Sequence, residues 1–437
     1  MMHAQAMPVP QSRAYHLGKR LLDGIVAALL LSAAAPLCAL LLPWLLVTGR
    51  ARIQAREFVG IAGKSIWLHD FGTKAPEGAG TGRLYACMQN LPRLFDLLDG
   101  RLSLVGPRPA APEELQSFSG IAHPRFSVAP GLTCLWSLRR RSNIDFGTES
   151  EADLEYVSHR CLRGDIGILG RALLALAYGA DAQDCGACQF IGGIRLLNLS
   201  MANLLDAVFC AIEGKARMRI AFVNPDCVNI AARDAAYRRT LDKFDWVCAD
   251  GIGMKIAGSL LGRPIRQNIN GTDMFPRLCA AMAQSGHSLY LLGARDGVAQ
   301  AAAQWALARY PELKIAGTRS GYFSSVEEAA VLQEIRSSGA QVLLVAMGAP
   351  RQEQWLERNL EASGALVGMG VGGLFDFYSG RIRRAPLWLR EIGGEWIYRL
   401  IQEPGRMWRR YLVGNWVFLA RIVHERFSGS RMKGTAR

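Results

Sequence analysis

The chain has little from which to build a metal centre or a dinucleotide site. Its seven histidines are dispersed without ligand spacing, and His69 and His424 read as surface or packing residues. The close cysteine pair Cys185 and Cys188 has no second CxxC or HxxxH beside it, so a linker coincidence is favoured over zinc and no cofactor is expected. The turn Tyr290-Leu291-Leu292-Gly293-Ala294-Arg295-Asp296-Gly297, where a strand would lead into a helix, lacks the GxGxxG spacing of a dinucleotide fingerprint. Carboxylates are also in deficit, 37 against 51 Lys and Arg, for a formal charge of +14. That excess suits an anionic partner: lipid headgroups, nucleic acid or a phosphorylated substrate. A cleaved secretory leader is not expected, because no short apolar region with a small-residue cleavage site stands out near the start. Ten cysteines, several of them inside apolar runs (Cys38, Cys210, Cys248, Cys279), read as buried free thiols in a reducing cytoplasm.

What is present divides into two halves, as 437 residues lead one to expect. From Ile25 to Val47 the chain is apolar and uncharged, long enough to cross a bilayer. Arg13, His16, Lys19 and Arg20 precede this run and Arg50, Arg52 and Arg56 follow it, which assigns both ends to the cytoplasm. Pro36 and Pro43 interrupt it, so a re-entrant helix is favoured over a full span. A weakly patterned stretch around 179–187 reads as a linker.

Past the linker, short apolar runs alternate with helical patterns: Ile220 to Val223, Trp246 to Cys248, Ser288 to Leu292, Leu313 to Ala316, Val342 to Ala346 and Ala365 to Gly368. The spacing predicts an α/β fold with a Rossmann-like doubly wound parallel sheet. Polar, glycine-rich turns follow several runs, at Asp250-Gly251, Gly348-Ala349-Pro350-Arg351-Gln352-Glu353 and Gly372-Gly373-Leu374-Phe375-Asp376, with Asn270-Gly271-Thr272-Asp273 near them. In open sheets of this kind ligands bind at the carboxyl ends of the strands. Asp250 is placed there either as a general base or as a helix cap. Asp273 reads as the cap of a helix starting near Met274, and Asp376 as either structural or functional. Arg399, Arg406 and Arg410 share a face if the tail is helical, although Pro404 predicts a kink or boundary. Trp396, Trp408, Tyr411, Trp416 and Phe418 interleave with them, which favours a membrane surface over nucleic acid.

Two family resemblances rest on these residues. Lys19-Arg20-Leu21-Leu22-Asp23, Leu91-Pro92, Ser103-Leu104-Val105-Gly106-Pro107-Arg108-Pro109, Pro130-Gly131-Leu132-Thr133, Trp136 and Asp165 make residues 13–178 resemble the bacterial sugar transferases. Those monotopic membrane proteins move a phosphosugar from a UDP-sugar to polyprenyl phosphate. The resemblance implies an Asp-Glu pair before Leu-Pro, yet an ungapped count back from Ser103 finds Gln89 and Asn90 there. The family's Lys-Phe-Arg reads Asp70-Phe71-Gly72. An amide cannot be the nucleophile, so this half is expected to be an inactive anchor, with Arg108 holding a loop or a headgroup.

Residues 188–412 resemble the TagA/WecG/CpsF glycosyltransferases, through Asp250-Gly251, Gly271-Thr272-Asp273, Gly321-Tyr322-Phe323, Gly348 to Glu353, Gly370 to Gly373, Phe375-Asp376, Arg384-Ala385-Pro386, Glu395-Trp396, Tyr398-Arg399-Leu400 and Glu403-Pro404. The resemblance implies inversion at the anomeric carbon without a metal, Asp250 as base, and Asn224 and Gln352 lining the sugar pocket. It also implies a C-terminal appendage that brings arginines, Arg399 and Arg406 first, to the diphosphate. Asn268, Thr272, Asp273, Glu353 and Arg384 complete the expected substrate site. Phe222, where members often have Thr, and Asn268, where many have Arg, put the donor sugar in doubt. Residues 413–437 are set apart as a basic, aromatic membrane-associating tail.

The expectation is a hexosyltransferase or N-acetylhexosaminyltransferase on the cytoplasmic face of a bacterial inner membrane. Its partners would be a UDP-sugar donor, a polyprenyl-diphosphate-linked sugar acceptor, membrane lipids and other glycan-assembly transferases. A bifunctional enzyme that primes and then extends the lipid carrier, and a non-catalytic scaffold, remain as alternatives.

Overall fold

The computed structural model describes residues 12–47, 51–73, 91–118, 120–142, 148–175 and 186–433. The chain forms two compact units, Met1–Ala177 and Tyr178–Arg437.

In the first unit, α1 (Arg13–Val47) stays helical through both prolines. It is followed by the antiparallel pair β1 (Ala51–Val59) and β2 (Ser65–Thr73), then α2 (Arg93–Asp99), β3 (Ser103–Val105), β4 (Gly131–Thr133), α3 (Leu135–Ser142), α4 (Glu149–His159) and α5 (Leu162–Ala175). Among the described residues no helix is long and apolar enough to cross a membrane. The motif residues of α1 fasten it to this unit. Asp23 Oδ1 accepts from Leu104 N at 3.0 Å, Lys19 Nζ donates to Val105 O at 2.9 Å and to Asp165 Oδ2 at 2.8 Å, and Arg20 caps Leu97 O at 2.6 Å. Arg108 is held by Glu149 (Nε to Oε1, 2.9 Å) and Glu114 (Nη2 to Oε1, 3.1 Å). Asp70 lies between Arg56 and Arg93, at 3.6 and 3.7 Å. Gln89 and Asn90 lie outside the described residues, as do Cys185 and most of the expected linker.

The second unit opens on the hairpin β5 (Cys188–Ile191) and β6 (Ile194–Leu197). Its two-residue turn, Gly192-Gly193, has φ of 59° and 75°, a conformation that favours glycine at both positions. Then follow α6 (Met201–Glu213), β7 (Met218–Val223), α7 (Pro225–Ala231), α8 (Ala235–Asp242), β8 (Trp246–Ala249), α9 (Ile252–Leu261), α10 (Gly271–Ser285), β9 (Ser288–Gly293), α11 (Val298–Arg309), β10 (Lys314–Arg319), α12 (Glu328–Ser338), β11 (Val342–Ala346), α13 (Arg351–Ser363) and β12 (Val367–Gly370). All six strands from β7 to β12 are parallel, in the order β10-β9-β11-β12-β7-β8. Central strands such as β11 are buried along their whole length, as expected of strands covered on both faces. One face packs on Tyr237, Phe244, Trp355 and Phe418, the other on Met274, Phe275 and Leu278. Phe222 is in the second of these cores. A phenylalanine at this position therefore fills the sheet face.

The chain ends in α14 (Leu374–Tyr378), α15 (Leu387–Glu391), α16 (Glu395–Gln402), α17 (Pro404–Trp408), a π-helical turn at Arg409–Val413, and α18 (Gly414–Lys433). The boundary predicted at Pro404 is present, between α16 and α17. The segment set apart as a tail beyond residue 412 packs into the sheet's core through Phe418 and Ile422, while Trp416, Val423 and Phe427 remain exposed. Glu425 accepts from Gly192 N at 2.9 Å and pairs with Arg263 at 2.8 Å. Cys248 and Cys279 are buried thiols as expected. Cys210 is exposed, because it falls on the outer side of α6.

Candidate active site

The site is assembled from the turns at the carboxyl ends of β7, β8, β11 and β12. Asp250 follows β8 directly, and its N–H donates to Val223 O at 2.8 Å, locking the two strand ends together. The next residue, Gly251, donates its N–H to Asn268 Oδ1 at 2.6 Å. Asn268 thus braces the turn that carries Asp250. Asn224 caps α7: its Oδ1 accepts from Asp226 N and Cys227 N at 3.1 and 3.2 Å. With Oδ1 so occupied, the amide nitrogen is left to hydrogen-bond the Asp250 carboxylate. Burial pushes the Asp250 carboxyl up to about 6; Arg410 and Asn224 pull it down, Glu395 and Asp273 push it further up. A carboxylate so placed is ionised at neutral pH and basic enough to take a proton.

Helix α10 begins at Gly271, and its cap is Asn270, whose Oδ1 accepts from Asp273 N at 2.7 Å. Asp273 therefore is not the cap the sequence pointed to. Its carboxylate takes Arg384 at 2.7 Å and Arg390 at 3.3 Å. Arg384 also pairs with Glu395 at 3.1 Å, and Thr272 contributes its carbonyl to the Tyr378 hydroxyl. The residues expected at the substrate, Thr272, Asp273 and Arg384, thus tie the segment from α14 to α16 onto the start of α10. Two carboxylates occupy Arg384.

Gln352, expected to line the sugar pocket, is buried at 3% exposure. Its Oε1 accepts from Gly348 N at 3.1 Å and Gly372 N at 2.9 Å. One side chain thereby fixes the turns after β11 and β12 in mutual register. Its Nε2 donates to Glu353 Oε1 at 2.7 Å. Glu353 is fully buried, its Oε2 has no partner, and burial pushes its carboxyl up to about 7. A carboxyl raised in the folded state contributes stability that is complete below its unfolded value and is lost as pH rises through the folded one. We expect the wild-type melting temperature to fall between pH 5 and pH 8 more steeply than that of Glu353→Gln, which cannot ionise; parallel curves from thermal denaturation would contradict this.

The arginines of the last helices diverge. Arg399 lies across the turn after β12, so close that a Cβ on Gly373 would fall 2.5 Å from its guanidinium, and it stacks on Phe377 at 5.2 Å. Arg406 pairs with Glu403 at 3.4 Å and reaches Asp376 at 3.8 Å. Asp376, buried and also paired with Arg381 at 3.3 Å, has a structural place. Arg410 pairs with Asp226 at 3.3 Å and is the cation whose field acts on Asp250. A cleft of about 590 Å³ opens here, lined by Arg233, Arg406, Arg409 and Arg410 together with Met407 and Trp408. The basic run was visible in the sequence. The choice of Arg410 was not, since it depends on the π-helical turn.

Residues 189–432 match the Glycosyl transferase WecG/TagA/CpsF family, and residues 14–179 match the Bacterial sugar transferase family. The chain is similar to the N-acetylglucosaminyldiphosphoundecaprenol N-acetyl-beta-D-mannosaminyltransferase of Bacillus subtilis strain 168, at 31% identity over 51% of this chain and 87% of that one. The enzyme of the same name from Staphylococcus aureus strain MW2 is 31% identical over 50% of this chain and 85% of its own. That from Bacillus spizizenii is 32% identical over 48% and 80%. With Asp250 at the mouth of a parallel sheet and the family match running through the last helix, the chain belongs to the WecG/TagA/CpsF family and is a glycosyltransferase.

Proposed function

We propose that the second unit transfers a hexose or N-acetylhexosamine from a UDP-sugar to a polyprenyl-diphosphate-linked sugar, in exopolysaccharide or envelope glycan assembly at the cytoplasmic face of the bacterial inner membrane. The observation that carries the reading is the Asp250 carboxylate, held by Asn224 and raised to about 6 at the strand ends. A hydroxyl is a poor nucleophile at neutral pH; Asp250 takes its proton as the oxygen attacks the anomeric carbon and the nucleoside diphosphate leaves with inversion. Charge gathering on that leaving group is met by fixed cations, for which Arg399 over the Gly372-Gly373 turn and the cleft arginines are placed. The relatives' names support an acceptor that carries N-acetylglucosamine on undecaprenyl diphosphate. Incubating the purified full chain with a panel of UDP-sugars and lipid-diphosphate-sugar acceptors is expected to give acceptor-dependent UDP and an extended glycolipid. UDP release that ignores the acceptor would oppose this reading.

The first unit is proposed to anchor the chain through a re-entrant α1 and to be inactive in phosphosugar transfer. Leu17, Leu21, Ile25 and Leu29 of α1 are exposed apolar side chains, suited to a lipid environment, and two glutamates occupy Arg108. With polyprenyl phosphate as the sole acceptor, the full chain carrying Asp250→Asn should release no UMP above background; UMP with a lipid-linked phosphosugar would show this unit to be active.

A further inference from the structure

Asp250 stands on a turn of unusual backbone. Gly251, which follows it, has φ of 87° and ψ of 154°, a combination that is essentially glycine-only. A Cβ built there would meet no atom within 4 Å, so crowding does not force this conformation. What holds it comes from residues 262–270, the irregular segment between α9 and α10. That segment is itself tied down along its length. Asn198, 2% exposed, donates through Nδ2 to Pro264 O at 3.1 Å and accepts through Oδ1 from Arg266 N at 2.6 Å. Gln267 Oε1 accepts from Met201 N, at the start of α6, at 2.7 Å. Ile269 N donates to Ala249 O at 2.9 Å, which sets the segment beside the last residue of β8, and Asn270 caps α10. Between these ties stands Asn268, whose Oδ1 accepts from Gly251 N at 2.6 Å.

We propose that Asn268 is a positioning residue for the transfer reaction: the side chain of a pinned segment fixes the peptide between Asp250 and Gly251, and with it the direction from which the Asp250 carboxylate meets the acceptor hydroxyl. The inference rests on Asp250 being the base. The link is mechanical. The Gly251 N–H and the Asp250 carbonyl share one peptide plane, so a bond that holds the N–H also sets ψ of Asp250 and the frame from which its side chain projects. Gly251 and Asn268 are both half-buried, so water can replace the lost oxygen and stability changes little. Water does not restore the angle, and a misplacement of about 1 Å can cost roughly 100-fold in rate. Many members of the family carry arginine at this position, and arginine has donors but no acceptor. The brace therefore belongs to the asparagine of this chain.

The test compares kcat, KM for donor and acceptor, and melting temperature for the full chain and its Asn268→Leu, Asn268→Ala, Asn268→Asp, Asn268→Arg and Asp250→Asn variants, on the alkaline plateau of the pH profile. Asn268→Leu keeps the size and removes the acceptor; its kcat is expected to fall by about 10- to 100-fold, with both KM values and the melting temperature near wild type. Asn268→Ala should behave alike and serves if the leucine variant does not fold. Asn268→Asp, whose carboxylate still accepts from Gly251 N, should keep most of kcat, and Asn268→Arg should be as impaired as Asn268→Leu. A crystal structure of Asn268→Leu should show the peptide between Asp250 and Gly251 rotated, a readout that needs no substrate. Wild-type kcat in the leucine and alanine variants, a loss confined to KM, or an unmoved turn would overturn the proposal. So would a series in which aspartate is the most impaired, since that assigns the side chain to an anionic substrate, or one in which arginine matches wild type. An Asp250→Asn enzyme with wild-type turnover would instead remove the base assignment beneath it, which separates the two failures.

Discussion

Asp250→Asn should lower kcat by about 10²–10⁴-fold, the range that a positioned general base contributes, with no comparable loss of stability. Asparagine keeps the shape and can still accept from Asn224, so the turn built by Val223 O and Asn268 is preserved. It cannot take the proton of the attacking hydroxyl. The wild-type profile should carry the complementary signature. Because Asp250 must be ionised to act and its carboxyl lies near 6, kcat/KM should fall on the acid side of about pH 6, tending to tenfold per pH unit. Measuring both in one assay is decisive: a variant within a few-fold of wild type, with the acid limb intact, would assign the proton to another group.

The second large effect is expected from Gln352→Ala. The substitution removes the acceptor for both Gly348 N and Gly372 N and strips Glu353 of its donor. Each polar group left unpaired costs about 1–3 kcal/mol where water cannot replace the partner, so a melting temperature several degrees lower is expected. Activity should suffer more. The turns after β11 and β12 carry the approach to Arg399, and a displacement of about 1 Å in such elements can cost roughly 100-fold in rate. A Gln352→Ala enzyme with unchanged kcat and KM would show that the two turns hold their register without it.

The sequence made the central strands of the second unit legible because they are short apolar runs buried on both faces, and burial leaves its mark residue by residue; the edge strand β10, Lys314–Arg319, is not buried and matched its expected run, Leu313 to Ala316, only in part. Val342–Ala346 was delimited to the residue; β12 begins at Val367, two positions beyond the start of the apolar run, since Ala365 and Leu366 lead into it. Asp250 was legible for the same reason, standing where a buried run meets glycine. Partnerships across long stretches of chain leave no such mark. Arg384 could be read as a substrate-site residue because Asp273, 111 positions away, is invisible from its neighbours. Asn229 and Gly414, 185 apart, meet only because α7 and the π-helical turn are adjacent in space. The β5–β6 hairpin escaped notice because it is short and half exposed.

Glu425 binds Gly192, 233 positions away in sequence, and this closure has a consequence for biosynthesis. Contacts so distant in sequence cannot form until the later partner has left the ribosome. The sheet can assemble from residues already synthesised, but Phe418, Ile422 and Glu425 follow its last strand in sequence. The face they cover stays open during translation. A nascent chain stalled before Phe418 would already possess Asp250 while that sheet face stood uncovered, so that synthesis itself separates the making of the base from the closing of the fold around it.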